Sequence, residues 1–349
     1  MRVLFITNDL HDALNSRVKF KKWFEKVDNS YLSIAAPVNL NNDFPEICLK
    51  LKNRGFTISN IYSVNNYINS YSFNTIVYRG IENIILSLFI KSSKDTKVIF
   101  LLTGLGRLFS DNLVLKKIIR KLYKYILIFC KRKKKATLIV QNIEDANDLG
   151  LSDIKIINGS GFPFKIFKRP KLEFNTPTII TATRLTLSKG LDDILKLSET
   201  IVNNKLKIRY YILGDFSHLN HKYLSKILDL NKSSNIHFLG FKNNISEYIS
   251  KSHYAYYPTN YREGAPRFLI EALSNGLVLF TNSMPGCSLM VSNNNGFLNL
   301  SVQDLINKIM NINDKEFNIH SKNSRELFET IYSDNVVYQE YFNLIKNYE

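Results

Sequence analysis

Two carboxylates stand eight residues apart, Glu263 and Glu271, in the run YPTNYREGAPRFLIEALSNG from Tyr257 to Gly276. A carboxylate only accepts hydrogen bonds, and it can take two donors. Glu263 falls just before the helical pattern FLIEAL, at the positive end of the helix dipole. Pro266 fits the first helical turn, where its missing N–H costs nothing. The backbone N–H groups of Gly264, Ala265 and Arg267 then form an edge for an anion or a hydroxyl. Glu271 comes about two turns further along. The spacing alone fits a capped surface helix with two solvated carboxylates equally well.

Two cations follow another apolar run: Arg184 and Lys189, in RLTLSKG after PTIITATR. At a strand end they could hold a nucleotide diphosphate and neutralise the charge that develops as it leaves. On its own, a basic pair beside a turn is also an ordinary surface feature. Thr103-Gly104-Leu105-Gly106 follows the strand-like KVIFLL, and its glycines permit a tight turn with backbone close to a ligand. Phe109 stands where a dinucleotide fingerprint needs a third glycine. Asp192-Asp193 reads as a helix cap, and Cys48, Cys130 and Cys287 share no metal-ligand spacing. No metal site and no cofactor are expected, and the cysteines read as reduced thiols.

The elements that must position these residues alternate. Residues 1–160 give RVLFIT, a helix near Ser16–Lys26, YLSIAAP, a helix around Glu46–Arg54, TIVYRG, KVIFLLTG and ATLIVQN. From about 177 the pattern starts again with PTIITATR, a helix from Leu191, IRYYILGD, NIHFLGF, a helix at Ile245–Ile249, HYAYYPT, the two-carboxylate helix and LVLFTN. Strands separated by helices predict parallel, doubly wound sheets, here as two Rossmann-like halves of an α/β protein. A linker near Gly161–Pro177, with Pro163, Pro170 and Pro177, joins them. Ligands of such sheets bind beyond the carboxyl ends of the strands, and each motif above follows a strand. Two such sheets facing one another would enclose a cleft.

The net charge is +17, and residues 1–165 carry 26 Lys and Arg against 13 Asp and Glu. The excess suggests that this half faces something anionic, a membrane surface or nucleic acid. Leu115–Lys135 holds ten basic residues and no acid, with Ile118, Ile119, Leu122, Tyr125, Ile126 and Phe129 near helical spacing. Either this is an outer helix whose apolar stripe is buried in the core, or it holds the chain at an anionic leaflet, or both. In the second case Lys116, Lys117, Arg120, Lys121, Lys124, Lys131, Arg132 and Lys133 are the contacts, each adding up to about 1 kcal/mol. No helix-turn-helix, zinc or aromatic RNA-binding signature accompanies the patch, so no nucleic acid partner is expected. The opening MRVLFITND reads as a strand without a signal peptide's apolar region, and no apolar run reaches bilayer length. A soluble or peripheral cytoplasmic protein is the expectation.

The form YREG-x-PR-x-L-x-EAL resembles the Glu-x7-Glu segment of glycosyltransferase family 4, sugar-nucleotide enzymes of the GT-B fold. It is especially similar to bacterial members that extend sugars on polyprenyl-diphosphate lipids, and with the other matches the resemblance covers almost the whole chain. The resemblance implies that Arg184 and Lys189 bind the diphosphate before Gly190, and that Glu263 meets donor-sugar hydroxyls. It implies that Glu271 accepts from the ribose, and that Gly264, Ala265, Pro266, Arg267, Gly214 and Gly240 line the donor. Thr103, Gly104 and Gly106 would lie on the acceptor side, with Arg17 on the helix where this subgroup often has arginine. Further matches are Asn142, Gly159-Ser160-Gly161 and Asn295-Gly296.

There are departures. Thr7-Asn8-Asp9-Leu10-His11 has no glycine where many members have a Gly-rich loop, and His11 is the sole histidine before residue 218. Leu277 replaces a frequent proline, and Ser288-Leu289-Met290 stands where an acidic residue often follows Gly-Cys. The resemblance further implies a retaining, metal-independent transferase that moves a sugar, UDP-linked, to a lipid-linked saccharide. The product would be O-antigen, capsule or a related glycan, made peripherally at the inner face of the bacterial cytoplasmic membrane. Residues 1–165 would form the acceptor and membrane-side domain and 166–332 the donor domain, with 333–349 crossing back as a helix. Two other readings stay open: a nucleotide-sugar epimerase on the same fold, and a non-catalytic basic binding protein.

Overall fold

The computed structural model describes residues 2–8, 31–37, 48–51, 56–109, 114–163, 176–291 and 294–346. It divides into two compact units, Met1–Gly161 with Asp334–Glu349, and Phe162–Ser333. The first is built on β1 (Arg2–Ile6), β2 (Tyr31–Pro37), β3 (Cys48–Leu51), α1 (Ile58–Ser70), β4 (Thr75–Arg79), α2 (Ile81–Leu86) and β5 (Lys97–Leu102). It continues through α3 (Val114–Lys134), β6 (Thr137–Val140), α4 (Ile143–Leu149) and β7 (Ile154–Ile156). The second unit contains β8 (Thr178–Ala182), α5 (Leu191–Asn203), β9 (Arg209–Leu213), α6 (His221–Leu230), β10 (Ile236–Phe238) and α7 (Ser246–Ile249). It goes on with β11 (Tyr254–Tyr257), α8 (Arg267–Ser274), β12 (Val278–Thr281), β13 (Gly296–Leu298), α9 (Val302–Asn311) and α10 (Asp314–Leu327). The last helix, α11 (Asp334–Lys346), belongs to the first unit.

Both sheets are wholly parallel. The first runs β3-β2-β1-β4-β5-β6-β7 and the second β10-β9-β8-β11-β12-β13. Strands buried on both faces explain why the sequence shows near-continuous apolar runs rather than alternation with polar residues. In the first sheet Leu4, Ile6, Ile76, Tyr78 and Phe100 face one core, while Val3, Phe5, Val77, Ile99 and Leu101 face another. That second core is closed by Val337, Tyr338, Tyr341 and Ile345 of α11. Each such side chain contributes on the order of 1.5–3 kcal/mol by leaving water. The end of α11 is also pinned by Lys97, whose Nζ donates to the carbonyl of Leu344. In the second sheet Tyr254 and Tyr256 face the core under α5 and α9, and Ala255 and Tyr257 face the one under α8.

The helix expected around Glu46–Arg54 is instead β3, which pairs with β2 from Ile34↔Cys48 to Pro37↔Leu51. A short apolar run fits either period, and here the free edge of β2 decided it. The helix expected near Ser16–Lys26 lies outside the described residues. So does most of the predicted linker, residues 164–175. Entry to and exit from the second unit run side by side: Phe162 N–H donates to the Tyr332 carbonyl at 3.1 Å, and Phe162 bridges to Ser333 in parallel.

Candidate active site

In the second sheet β8 and β11 are neighbours although α5, β9, α6, β10 and α7 separate them in the chain, which makes the gap between them the topological switch point. Parallel sheets bind ligands beyond the carboxyl ends of strands at such a point. The loop after β8 carries Arg184 and Lys189, and the loop after β11 carries Glu263. Gly190 stitches the two loops together. It adopts φ 79°, in the left-handed region, and a Cβ there would lie 2.1 Å from the carbonyl oxygen of Pro258. Ser188 offers its carbonyl to Asn260 N–H at 3.0 Å and to the Thr259 hydroxyl at 3.4 Å.

This lacing brings Lys189 onto Glu263. Lys189 is buried, its side chain 7 % exposed, and its Nζ pairs with Oε1 of Glu263. The Tyr257 hydroxyl donates to the same carboxylate oxygen at 3.0 Å and lies 3.5 Å from Nζ. The ring of Tyr261 sits under the ammonium, 4.5 Å from Nζ to its centroid, a cation–π arrangement. Burial first, and the Arg184 guanidinium second, push the Lys189 ammonium down to about 8, while the Cys287 thiol acts the other way. The Glu263 carboxylate against Nζ also favours the charged form, so at neutral pH the group is an ammonium. Arg184 is exposed and its side chain makes no hydrogen bond among the described residues.

Glu263 is braced from a third loop, after β12. Its N–H donates to the Pro285 carbonyl at 3.1 Å, and a Cβ on Gly286 would lie 2.3 Å from the Glu263 carbonyl oxygen. Neither Pro285-Gly286 nor Tyr257 and Tyr261 was expected at the site. The Pro-Gly pair was the available signal, since it marks a tight turn.

Pro266, expected inside the first helical turn, is the residue before it. With ψ at 118° it is still extended, and its carbonyl takes the first helical bond, from Ile270 N–H at 3.1 Å. Gly264 and Ala265 form the turn leading in, and Arg267 opens the helix. Arg267 Nε donates to Glu271 Oε1 at 2.8 Å, with side-chain exposures of 46 % and 6 %. Glu271 is thus a carboxylate kept buried by a guanidinium that reaches solvent. Gly214 follows β9 and donates its N–H to the carbonyl of Gly240, which follows β10, at 2.9 Å.

In the first unit, Thr103 and Gly104 follow β5, and Gly106 opens a short 3-10 turn, Gly106–Phe109. Arg79, at the end of the adjacent β4, donates from Nη2 to the Thr103 hydroxyl at 3.4 Å. Arg17 lies outside the described residues. Helix α3 carries the basic run, and of the readings left open for its apolar stripe, burial in the core does not hold for Ile118, Ile119, Leu122, Tyr125 and Phe129. Leu127 and Cys130 are the buried residues, with Tyr123 and Ile126 partly covered beside them. Ile118, Leu122, Tyr125 and Phe129, spaced four, three and four apart, are instead 50–68 % exposed. At 100° per residue these four lie on the side of the helix away from Leu127. Arg120 and Lys131 donate to the Leu108 and Ser152 carbonyls at 2.7 and 2.9 Å. Lys117, Lys121, Arg132 and Lys133 are exposed, and Lys116 and Lys124 are half-buried.

Among the described residues no group of three or more His, Cys, Asp or Glu could hold a metal ion, and no helix is long and apolar enough to cross a membrane.

Residues 164–326, which contain the switch-point loops, match the family model of glycosyl transferases group 1, and the chain is a glycosyltransferase. No curated protein sequence matches the chain. Among solved structures it is similar to a glycosyltransferase from Rickettsia africae ESF-5, at 15 % identity and a TM-score of 0.76 over 99 % of this chain and 98 % of that one. It is similar to Anabaena HepE in complex with UDP and glucose, at 14 % identity and 0.74 over 99 % and 100 %. It is also similar to sucrose-phosphate synthase from Thermosynechococcus elongatus, at 13 % identity and 0.77 over 99 % and 98 %. At such identities the likeness shows the fold, which is GT-B: two α/β domains with parallel sheets.

Proposed function

We propose that this glycosyltransferase is a retaining enzyme of family 4 that moves a hexose or N-acetylhexosamine from a UDP-linked donor to a lipid-linked saccharide. The observation that carries the reading is the Lys189–Glu263–Tyr257 cluster at the β8/β11 switch point, inside the group 1 region. Of the readings left open by the sequence, transfer is the one this region selects.

Each residue has a task that its chemistry suits. Lys189 and Arg184 take the donor's diphosphate and stabilise the charge that grows on it as the anomeric C–O bond breaks. Glu263 accepts hydrogen bonds from sugar hydroxyls, and Glu271 from the ribose. Gly264, Ala265, Pro266 and Arg267 offer a backbone edge without bulky side chains before Arg267, with Gly214 and Gly240 lining the same donor. Retention follows if the acceptor hydroxyl attacks from the face the diphosphate leaves, handing its proton to the departing phosphate oxygen. The acid–base pair of glycosidases is then unnecessary, and no metal is required of the protein. The HepE complexes contain UDP and UDP-glucose, which supports a UDP-linked donor here.

On the acceptor side the reading assigns Thr103, Gly104, Gly106 and Arg17, with the cations of α3 at the anionic inner face of the cytoplasmic membrane. The product would be a bacterial surface polysaccharide such as O-antigen or capsule. The test is a panel of radiolabelled UDP-sugars, incubated with membranes carrying or lacking a polyprenyl-linked acceptor. Label should enter the lipid fraction from one donor and be lost in Lys189→Ala and Glu263→Gln. Transfer unaffected by both substitutions would sink the assignment of this site.

A further inference from the structure

We propose that Tyr257 is a positioning residue for Glu263, holding the carboxylate in place while Lys189 turns from it to the donor's diphosphate. The proposal rests on the transferase reading above. Tyr257 is the last residue of β11 and only 5 % exposed. Its hydroxyl and the Lys189 ammonium converge on one oxygen, Oε1 of Glu263. The two donors differ in what a ligand does to them. Lys189 shares its surroundings with Arg184, and a diphosphate arriving between two cations draws the mobile ammonium toward the larger negative charge. A lysine is a flexible stem with a rotatable donor, so it can change partners.

Tyr257 cannot follow. Its ring packs 5.8 Å from that of Phe268, and its carbonyl accepts the Thr281 hydroxyl at 2.7 Å. Its strand pairs with β12 at this very residue, Tyr257↔Thr281. The hydroxyl also stays a donor. Burial first and the nearby Cys287 second push the phenol above its ordinary value, against smaller opposing effects of Thr183 and Arg184. With the donor bound, Tyr257 is therefore the fixed partner that keeps Glu263 aimed at the sugar. Neighbouring tyrosines cannot substitute, because Tyr254 and Tyr256 point into the opposite core.

The test separates a positioning role from a structural one. Tyr257→Phe keeps the ring and removes the hydroxyl. Affinities are measured for UDP and for whichever of UDP-glucose, UDP-galactose and their N-acetylamino forms the wild type turns over. UDP lacks the hydroxyls that Glu263 meets. The expected result is unchanged UDP affinity, with affinity and turnover of the UDP-sugar reduced about tenfold, the scale of one hydrogen bond to a charged group. In a Glu263→Ala background the same substitution should change neither. Equal losses for UDP and UDP-sugar, or an effect that adds to Glu263→Ala, would overturn the proposal. A wild type that turns over none of the four sugars would overturn the transferase reading beneath it as well.

Discussion

The Cβ that Gly190 lacks would stand 2.1 Å from the carbonyl oxygen of Pro258. That approach joins the loop after β8 to the loop after β11, and so sets Lys189 against Glu263. Gly190→Ala should cost about 1–2 kcal/mol for the left-handed backbone alone, and more from the clash, since backbone cannot yield as a side chain end can. Urea unfolding would read the stability, and UDP binding the site. Wild-type values for both would mean that the two loops are not held together at this point.

The depressed Lys189 predicts a pH limb. An ammonium at about 8 is charged below that pH and loses its proton above it, so donor capture weakens as pH rises through 8. The value of kcat/KM for the donor should fall about tenfold per pH unit beyond the limb. A bound diphosphate stabilises the ammonium, so the corresponding limb in kcat should sit at higher pH. Lys189→Arg retains charge throughout and should abolish the limb even if it lowers the rate. A limb unchanged in that variant would assign the titration to another group.

For α3 the exposed stripe makes a sharper prediction than the cations alone. Ile118→Ser, Leu122→Ser and Phe129→Ser together should reduce binding to anionic phospholipid vesicles at least tenfold, because each side chain can contribute about 1.5–3 kcal/mol on leaving water. None of the three is buried, so the folded state should be kept. Binding through charge alone would vanish at high salt, whereas binding through the stripe should persist in part. Sedimentation with vesicles across a salt series would decide. No binding by the wild type would remove α3 from membrane contact.

Arg267 and Glu271 allow a test of packing. Arg267→Ala takes the guanidinium from a carboxylate of 6 % side-chain exposure. The full cost of breaking a buried pair is not expected, because Arg267 itself is nearly half exposed and screened. A loss of about 1 kcal/mol is the expectation, with Glu271→Gln relieving part of it. No loss in chemical denaturation would mean that other partners suffice for Glu271.

Both parallel sheets were legible, because strands such as VLFI and VIFLL are apolar on both faces and are separated by helical stretches. The sequence put Lys189 and Glu263 each in a loop at a strand end, but their approach depends on β8 and β11 being neighbours, which the strand order of the sheet alone shows. Tyr257 was not legible either. In YAYYPT every tyrosine reads as core, and nothing in the string tells which one reaches the carboxyl end with its hydroxyl in the site. The β3 strand was misread because four residues cannot show a period. Helix α3 misled for another reason, since it has two apolar stripes. Periodicity finds Ile118–Phe129 readily, but the core chose the sparser Leu127–Cys130 side.

The bond between Phe162 N–H and the Tyr332 carbonyl closes the second unit at its own neck, so that unit is a continuous insertion between Gly161 and Asp334. On the ribosome the order of completion is therefore reversed from the order of synthesis. Residues 162–333 hold everything their own core needs once they have emerged. The first sheet, although made earlier, must wait with one apolar face bare until Val337, Tyr338, Tyr341 and Ile345 arrive to cover it.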